Sequence, residues 1–145
     1  MAYFAEIKSN DNTVLRVVVV NDSDVSDNGG EYTSTSETWV ANNIVDDPSA
    51  LEDNGATYWK QTSYNNTVRG VYAGIGMTYN SSTDKFIPIK PFASWIFDST
   101  QHTWLPPIAF CENTDEGACD WDEGNLRWKN TDNTKYWNGT AWQNV

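Results

Sequence analysis

Basic residues are scarce in this sequence. Nine Lys and Arg stand against twenty Asp and Glu, for a formal net charge of -11 at pH 7. A field of that sign repels phosphate backbones and anionic headgroups, so no nucleic acid and no membrane surface is expected as a partner; basic proteins or bound cations fit better. Histidine is represented by His102 alone, with no sequence-local group to make it a general base. Cysteine is limited to Cys111 and Cys119, neither in a CxxC pair nor near a histidine, which removes the usual zinc and thiol-nucleophile patterns. The two flank the acidic stretch ENTDEGA and leave a local disulfide and a pair of free thiols equally open.

Long apolar stretches are also missing. No aliphatic run exceeds the four residues Val17 to Val20, against about 20 for a membrane-spanning helix. The opening MAYFAEIKSN lacks the basic start, apolar segment and small-residue cleavage site of a secretory signal, so no secretory route is expected. Sustained helical periodicity is absent outside one short segment. The glycines of GVYAGIG come without the lysine and following helix of a phosphate-binding loop. Twenty acidic residues supply carboxylate pairs by chance, so a hydrolase using two of them has no specific support. The expectation is a protein that is not an enzyme.

Aromatic side chains are abundant, with eight Trp, seven Tyr and five Phe. Six of the eight Trp lie between Trp95 and Trp142. Disordered acidic chains are poor in aromatics, so this one is expected to fold. Its 145 residues are enough for a real core. YFAEIK (3–8) and VLRVVVV (14–20), joined by SNDNT, read as an opening hairpin whose second, β-branched strand would be central. The polar stretch 21–39 reads as loop. A single short helix is expected within 37–52, with Asp47 as N-cap and Pro48 at its first position.

Strand character returns at TYWKQTSY and again over Val68–Tyr79, where Gly74 and Gly76 call for a bulge or a closely packed ring. Pro88 and Pro91 put the strand at 85–90 on an edge. WIFDSTQHTW (95–104), WDEGNLRW (121–128) and WNGTAW (137–142) share one plan, an aromatic, a polar turn and a second Trp, and each predicts a hairpin with paired indoles. The predicted class is all-β. Antiparallel hairpins in a meander would build a small sandwich or partly open barrel, with at most one short helix. Residues 1–94 would form a β region with a polar insert and 95–145 a Trp-rich hairpin region, packed as one unit.

Asp22, Asp24, Asp27 and Glu31 are hard oxygen ligands close in sequence, a candidate calcium site, although their spacing departs from the helical calcium-binding loop and a solvated turn explains them equally. No other cofactor is indicated. Trp39, Trp137 and Trp142 sit among polar residues and are candidates for exposed, sugar-stacking or interface positions; Phe86 and Ile87 join them as interface candidates on the predicted edge strand. Asn65, Asn80 and Asn138 begin glycosylation triplets that read equally as turns.

The opening AYFAEIKSNDNTVLRVVVV, the centre WKQTSYNNTVRGVYAGIGMTYNSSTDKFIPIKPFASWIF and the tail WDEGNLRW resemble a family of small structural proteins of tailed marine bacteriophages, especially those infecting cyanobacteria. The resemblance runs from Ala2 to about Trp128; Trp59–Trp95 is its most distinctive block. It implies a non-enzymatic virion component, made in the host cytoplasm, with other virion proteins such as capsid or tail subunits, or copies of itself, as partners. An exterior capsid decoration protein is the first expectation, a tail, neck or fibre protein the second. A carbohydrate-binding module for host surface polysaccharide is the alternative from a different class.

Overall fold

The computed structural model describes residues 1–47, 55–112 and 118–145. Among these, eleven strands form four antiparallel sheets, none closed into a barrel. The class is all-β, as the alternating pattern implies. Two short helices accompany the strands where the sequence predicts at most one. The chain divides into two compact units, Met1–Ile89 and Lys90–Val145, slightly before the boundary expected at Trp95.

In the first unit, β1 (Ala2–Lys8) and β2 (Val14–Val20) form the predicted hairpin, pairing Phe4 with Val18 and Ala5 with Val17, with a bulge between Glu6 and Ile7. β3 (Thr57–Thr62) pairs with the other side of β1. The order β2-β1-β3 therefore makes β1, not the valine-rich β2, the central strand. β1 is buried on both faces. Ala2 and Phe4 join Val20, Val25, Val40 and Trp59 in one cluster, while Ala5 and Ile7 join Val14, Ala73, Tyr79 and Phe86 in another. β-branching favours an extended backbone but does not set the number of neighbouring strands, and Val19 on β2 is 51% exposed.

Helices α1 (Asp22–Asp27) and α2 (Ser34–Asn43) contribute Val25 and Val40 to the first cluster. They occupy the stretch read as loop. Thr33 caps α2, its hydroxyl accepting from the Ser36 N–H at 3.1 Å. The buried side of α2 is Ser36, Glu37 and Val40, two of them polar, so no hydrophobic stripe announces it. α2 is not the helix expected from Asp47 and Pro48: it ends at Asn43, and Pro48 and the positions up to 54, where that helix would run, lie outside the described residues.

The second cluster is completed by residues 67–87. The long strand expected over Val68–Tyr79 is reduced to β4 (Thr78–Asn80), paired with β5 (Lys85–Ile87) so that Tyr79 faces Phe86. Left-handed backbone at Asn66, Arg69, Gly70 and Gly76 breaks the alternation, and Ile75 is left exposed. Gly76 has φ +88°, and a Cβ there would come within 3.2 Å of Ile89. Close packing of this glycine is as expected, although the neighbour is aliphatic.

Among the described residues of this unit, the carboxylates of Glu6 and Glu37 are buried. Glu6, with no exposure, accepts from the Arg16 guanidinium at 3.1 Å and from the Asp47 N–H at 2.9 Å. Glu37 meets Arg69 at 3.2 Å and Lys60 at 3.4 Å. Arg69, whose side chain is 7% exposed, also reaches Asp84 at 2.9 Å and donates to the Gln61 carbonyl at 3.0 Å. Tyr79 donates its hydroxyl proton to Asp84. Burial works against the charge of Arg69, but Glu37 and Asp84 outweigh it and hold its pKa above the usual arginine value.

In the second unit, β6 (Ile96–Asp98) and β7 (Thr103–Leu105) form one hairpin. A four-stranded meander follows: β8 (Cys119–Asp122), β9 (Arg127–Asn130), β10 (Lys135–Trp137) and β11 (Trp142–Asn144). Register places Trp121 opposite Trp128, Trp128 opposite Trp137 and Trp137 opposite Trp142. Each strand thus contributes one indole to a single row, with ring centroids 5.2 Å apart for Trp121–Trp128 and 5.7 Å for Trp137–Trp142. Trp95 stands edge-on to Trp121 and Trp128, at 6.1 and 6.0 Å. Cys111 and Cys119 are joined by a disulfide that packs against the same cluster.

The two later Trp hairpins pair as predicted. The first does not, because Phe97 rather than Trp95 lies opposite Trp104. Extending that register would set Trp95 against Pro106, which has no N–H to offer a ladder. At the Asn138-Gly139 turn only Gly139 has positive φ. The Asn138 side chain instead accepts from the N–H groups of Thr140 and Ala141, each at 2.9 Å.

Two stability predictions follow from these cores. Arg69→Met leaves Glu37 without its closest cation and should lower unfolding free energy by about 3–5 kcal/mol in urea titrations; Lys at that position should recover part of it. Trp137→Ala, at a position 4% exposed in the middle of the indole row, should cost about 3–5 kcal/mol and erase near-ultraviolet dichroism from the coupled rings.

Candidate functional site

Side chains alternate along β1, so Tyr3 shares a face with Ala5 and Ile7. The apolar cluster over that face includes Ala5 and Val17 and stops there. The next row, Val19 opposite Tyr3, is left without that cover, and other tyrosines gather on it. Tyr64 stacks on Tyr3 at 5.6 Å with ring planes 25° apart. Tyr72 meets Tyr3 edge-on at 5.6 Å and Tyr64 at 5.3 Å. At these separations the rings touch, so the trio is a packed platform rather than a cage around an empty centre. Tyr64 is 64% exposed.

The platform is held by its own loop. The N–H of Tyr72 donates to Asn66 Oδ1 at 2.6 Å, and the N–H of Asn66 donates to the Ser63 carbonyl at 3.1 Å. The Ser63 and Thr67 hydroxyls are 2.7 Å apart, and the Ala73 N–H donates to Thr62 Oγ1 at 2.9 Å. Burial, then the nearby Tyr3 and Tyr64, push the Tyr72 phenol above its usual value of 10.0.

Beside the platform runs an open sheet edge. Val14 is engaged, its N–H donating to the Met77 carbonyl at 2.7 Å and its carbonyl accepting from Gly76 at 3.0 Å. Beyond it, no strand among the described residues pairs with the outer side of β2.

The residues singled out from sequence lie elsewhere. Asp22, Asp24 and Asp27 are on α1, where Asp22 and Asp24, two apart, diverge while Asp24 and Asp27, three apart, share a face. Asp22 pairs with the Met1 amino group at 2.7 Å, and Glu31 accepts from Gln61 at 3.5 Å. Among the described residues no group of three or more His, Cys, Asp or Glu is placed to hold a metal ion. The four candidate calcium ligands are therefore not gathered at one point among the described residues.

Trp137 is buried in the indole row; Trp142 is half-buried against it, and Trp39 is half-buried against the α1–α2 cluster. Polar sequence neighbours misled the reading of Trp137, because strand alternation turns those neighbours outward while the indole turns in. Phe86 is likewise fully buried in the second cluster, its N–H donating to the Arg69 carbonyl at 2.9 Å, so it offers no interface. Ile87 is half-buried. His102 sits in the β6–β7 turn with its ring 5.2 Å from Phe97.

The tyrosine trio was not legible as a site. Its only sequence signal is Tyr64, a large ring between Ser63 and Asn65 at the end of a strand; the meeting of residues 3, 64 and 72 is tertiary. A groove between α2 and β3 is lined by Glu37, Lys60 and Trp59, but its charges are already paired with one another. Among the described residues no helix is long and apolar enough to cross a membrane.

The raised Tyr72 pKa has a defined consequence. Its neutral form stabilises the fold fully below the unfolded value near 10.0, and that contribution is lost as pH rises through the higher folded value. Tyr72→Phe should therefore flatten the loss of stability as pH rises above about 10, read from urea midpoints. Comparisons with protein-family models, with curated proteins and with solved structures find no match to this chain.

Proposed function

We propose that this chain is a non-enzymatic structural component of a bacteriophage virion, most suited to the outside of the capsid as a decoration protein. The observation that carries a contact role is the tyrosine–valine platform beside the open edge of β2. It is apolar, partly exposed and locked by its own loop, which is the form of a surface that meets another protein with little ordering cost. The resemblance to marine phage structural proteins supplies the particle.

Charge supports an outer position. In the first unit Arg16, Lys60 and Arg69 are paired with Glu6, Glu37 and Asp84, which leaves the remaining surface acidic and ill suited to packaged DNA. A tail, neck or fibre position uses the same surface with fewer copies. A carbohydrate-binding module is the second reading, favoured by the exposure of the Tyr64 ring and the neighbouring Asn65 and Asn66 rather than by the tryptophans.

Quantitative mass spectrometry of purified, intact phage particles tests this. Hundreds of copies per particle are expected for shell decoration, and a few to a few dozen would move the protein to the tail or neck. Its absence from particles would overturn the virion assignment and leave the carbohydrate reading to be tested.

A further inference from the structure

We propose that the outer edge of β2, from Val17 to Val20, receives an extended segment of a partner protein as an added strand, and that this segment carries an Arg or Lys whose head rests on the Tyr3–Tyr64–Tyr72 platform. The inference rests on the contact role above and specifies its partner.

The first argument is the edge itself. Exposed edge strands present unpaired backbone donors and acceptors, and natural sheets blunt them with charge, proline, bulges or shortness. β2 has seven residues; its bulge lies opposite Glu6 and Ile7 at the far end, and Val17–Val20 contains neither charge nor proline. Val19 is 51% exposed there. A β-branched edge of this kind, with which no described strand pairs, can be completed by main-chain pairing, with specificity from alternate side chains.

The second argument is what the added strand would meet. Neighbouring strands lie about 4.8 Å apart, so alternate side chains of the incoming segment stand beside Val19 on the Tyr3 face. Tyr3 is one strand further in. A long side chain can lay its aliphatic stem over Val19 and bring its head to the rings. A cation there gains from the aromatic faces and from the acidic surface of the unit. A second copy of this chain fits poorly. Its own Val17–Val20 edge carries no long cationic side chain, Arg16 is engaged by Glu6, and each copy bears a net charge of -11.

The test is an NMR titration of the whole 15N-labelled protein with a synthetic decapeptide alternating Arg and Val, with the Glu–Val decapeptide as control. The expected result is shifts and slowed amide exchange at Val17–Val20, with ring shifts at Tyr3, Tyr64 and Tyr72, from the Arg peptide only. Tyr3→Leu should weaken binding about tenfold, the scale of one desolvated cation–π contact. Val19→Lys, at an exposed position, should do the same by like-charge repulsion while leaving the free spectrum folded. Equal binding of the Glu peptide, shifts confined to other residues, dimerisation through β2 without peptide, or platform shifts produced by a soluble oligosaccharide instead would each overturn the proposal. None of these outcomes alters the copy number found in particles, so the two readings fail separately.

Discussion

The arrangement of Met1–Ile89 depends on two carboxylates kept out of water. Glu6 lies on a strand buried on both faces, and Glu37 lies on the inward side of α2. A buried carboxylate is costly without a cation and hydrogen-bond donors, and each of these has both. Arg16 and the Asp47 N–H serve Glu6, which ties β2 and the chain after α2 to the central strand. Arg69 and Lys60 serve Glu37, and Arg69 goes on to Asp84. One guanidinium thereby joins α2, the irregular segment after β3 and the β4–β5 turn. Its left-handed backbone, φ 59°, is held by the same set of contacts.

This internal pairing has an external effect. Five basic residues, Lys8, Arg16, Lys60, Arg69 and Lys85, belong to this unit, and Arg16, Lys60 and Arg69 meet Glu6, Glu37 and Asp84. The acidic groups outside these pairs set the character of the surface. The platform of Tyr3, Tyr64 and Tyr72 is thus an aromatic patch set in a negative field.

In Lys90–Val145 rings replace aliphatic side chains as core material. Four short strands cannot bury much each, but one indole per strand in register gives a continuous row, and Trp95, Ile108 and the disulfide pack against it. The polar edges of these rings are partly served from within. Trp121 donates to Glu123 at 2.7 Å and Trp128 to the Ile108 carbonyl at 3.3 Å. Glu123 also accepts from the Ser94 N–H at 2.9 Å and hydroxyl at 2.7 Å; the bond from the Ser94 hydroxyl first, and then that from Trp121, hold its pKa below the usual carboxylate range. The carboxylate here fixes the orientation of an indole.

What the sequence determined by itself was local. The opening hairpin, β3, the β4–β5 turn and the paired tryptophans of 121–128 and 137–142 follow from β-branched runs, turn residues and the two-residue alternation, which act over a few positions. Tertiary structure decided the rest. It made β1 central, because both faces of AYFAEIK found cover; it formed α2, whose polar inner side is stabilised by Arg69 and Lys60 from other elements rather than by a stripe of its own. It buried Trp137 and Phe86, which sequence neighbours had marked as surface. It also brought together three tyrosines far apart in the chain, and no periodicity records a contact between residues 3, 64 and 72. Local propensity specifies how a segment bends; which segments share a face depends on where burial and charge pairing are satisfied together.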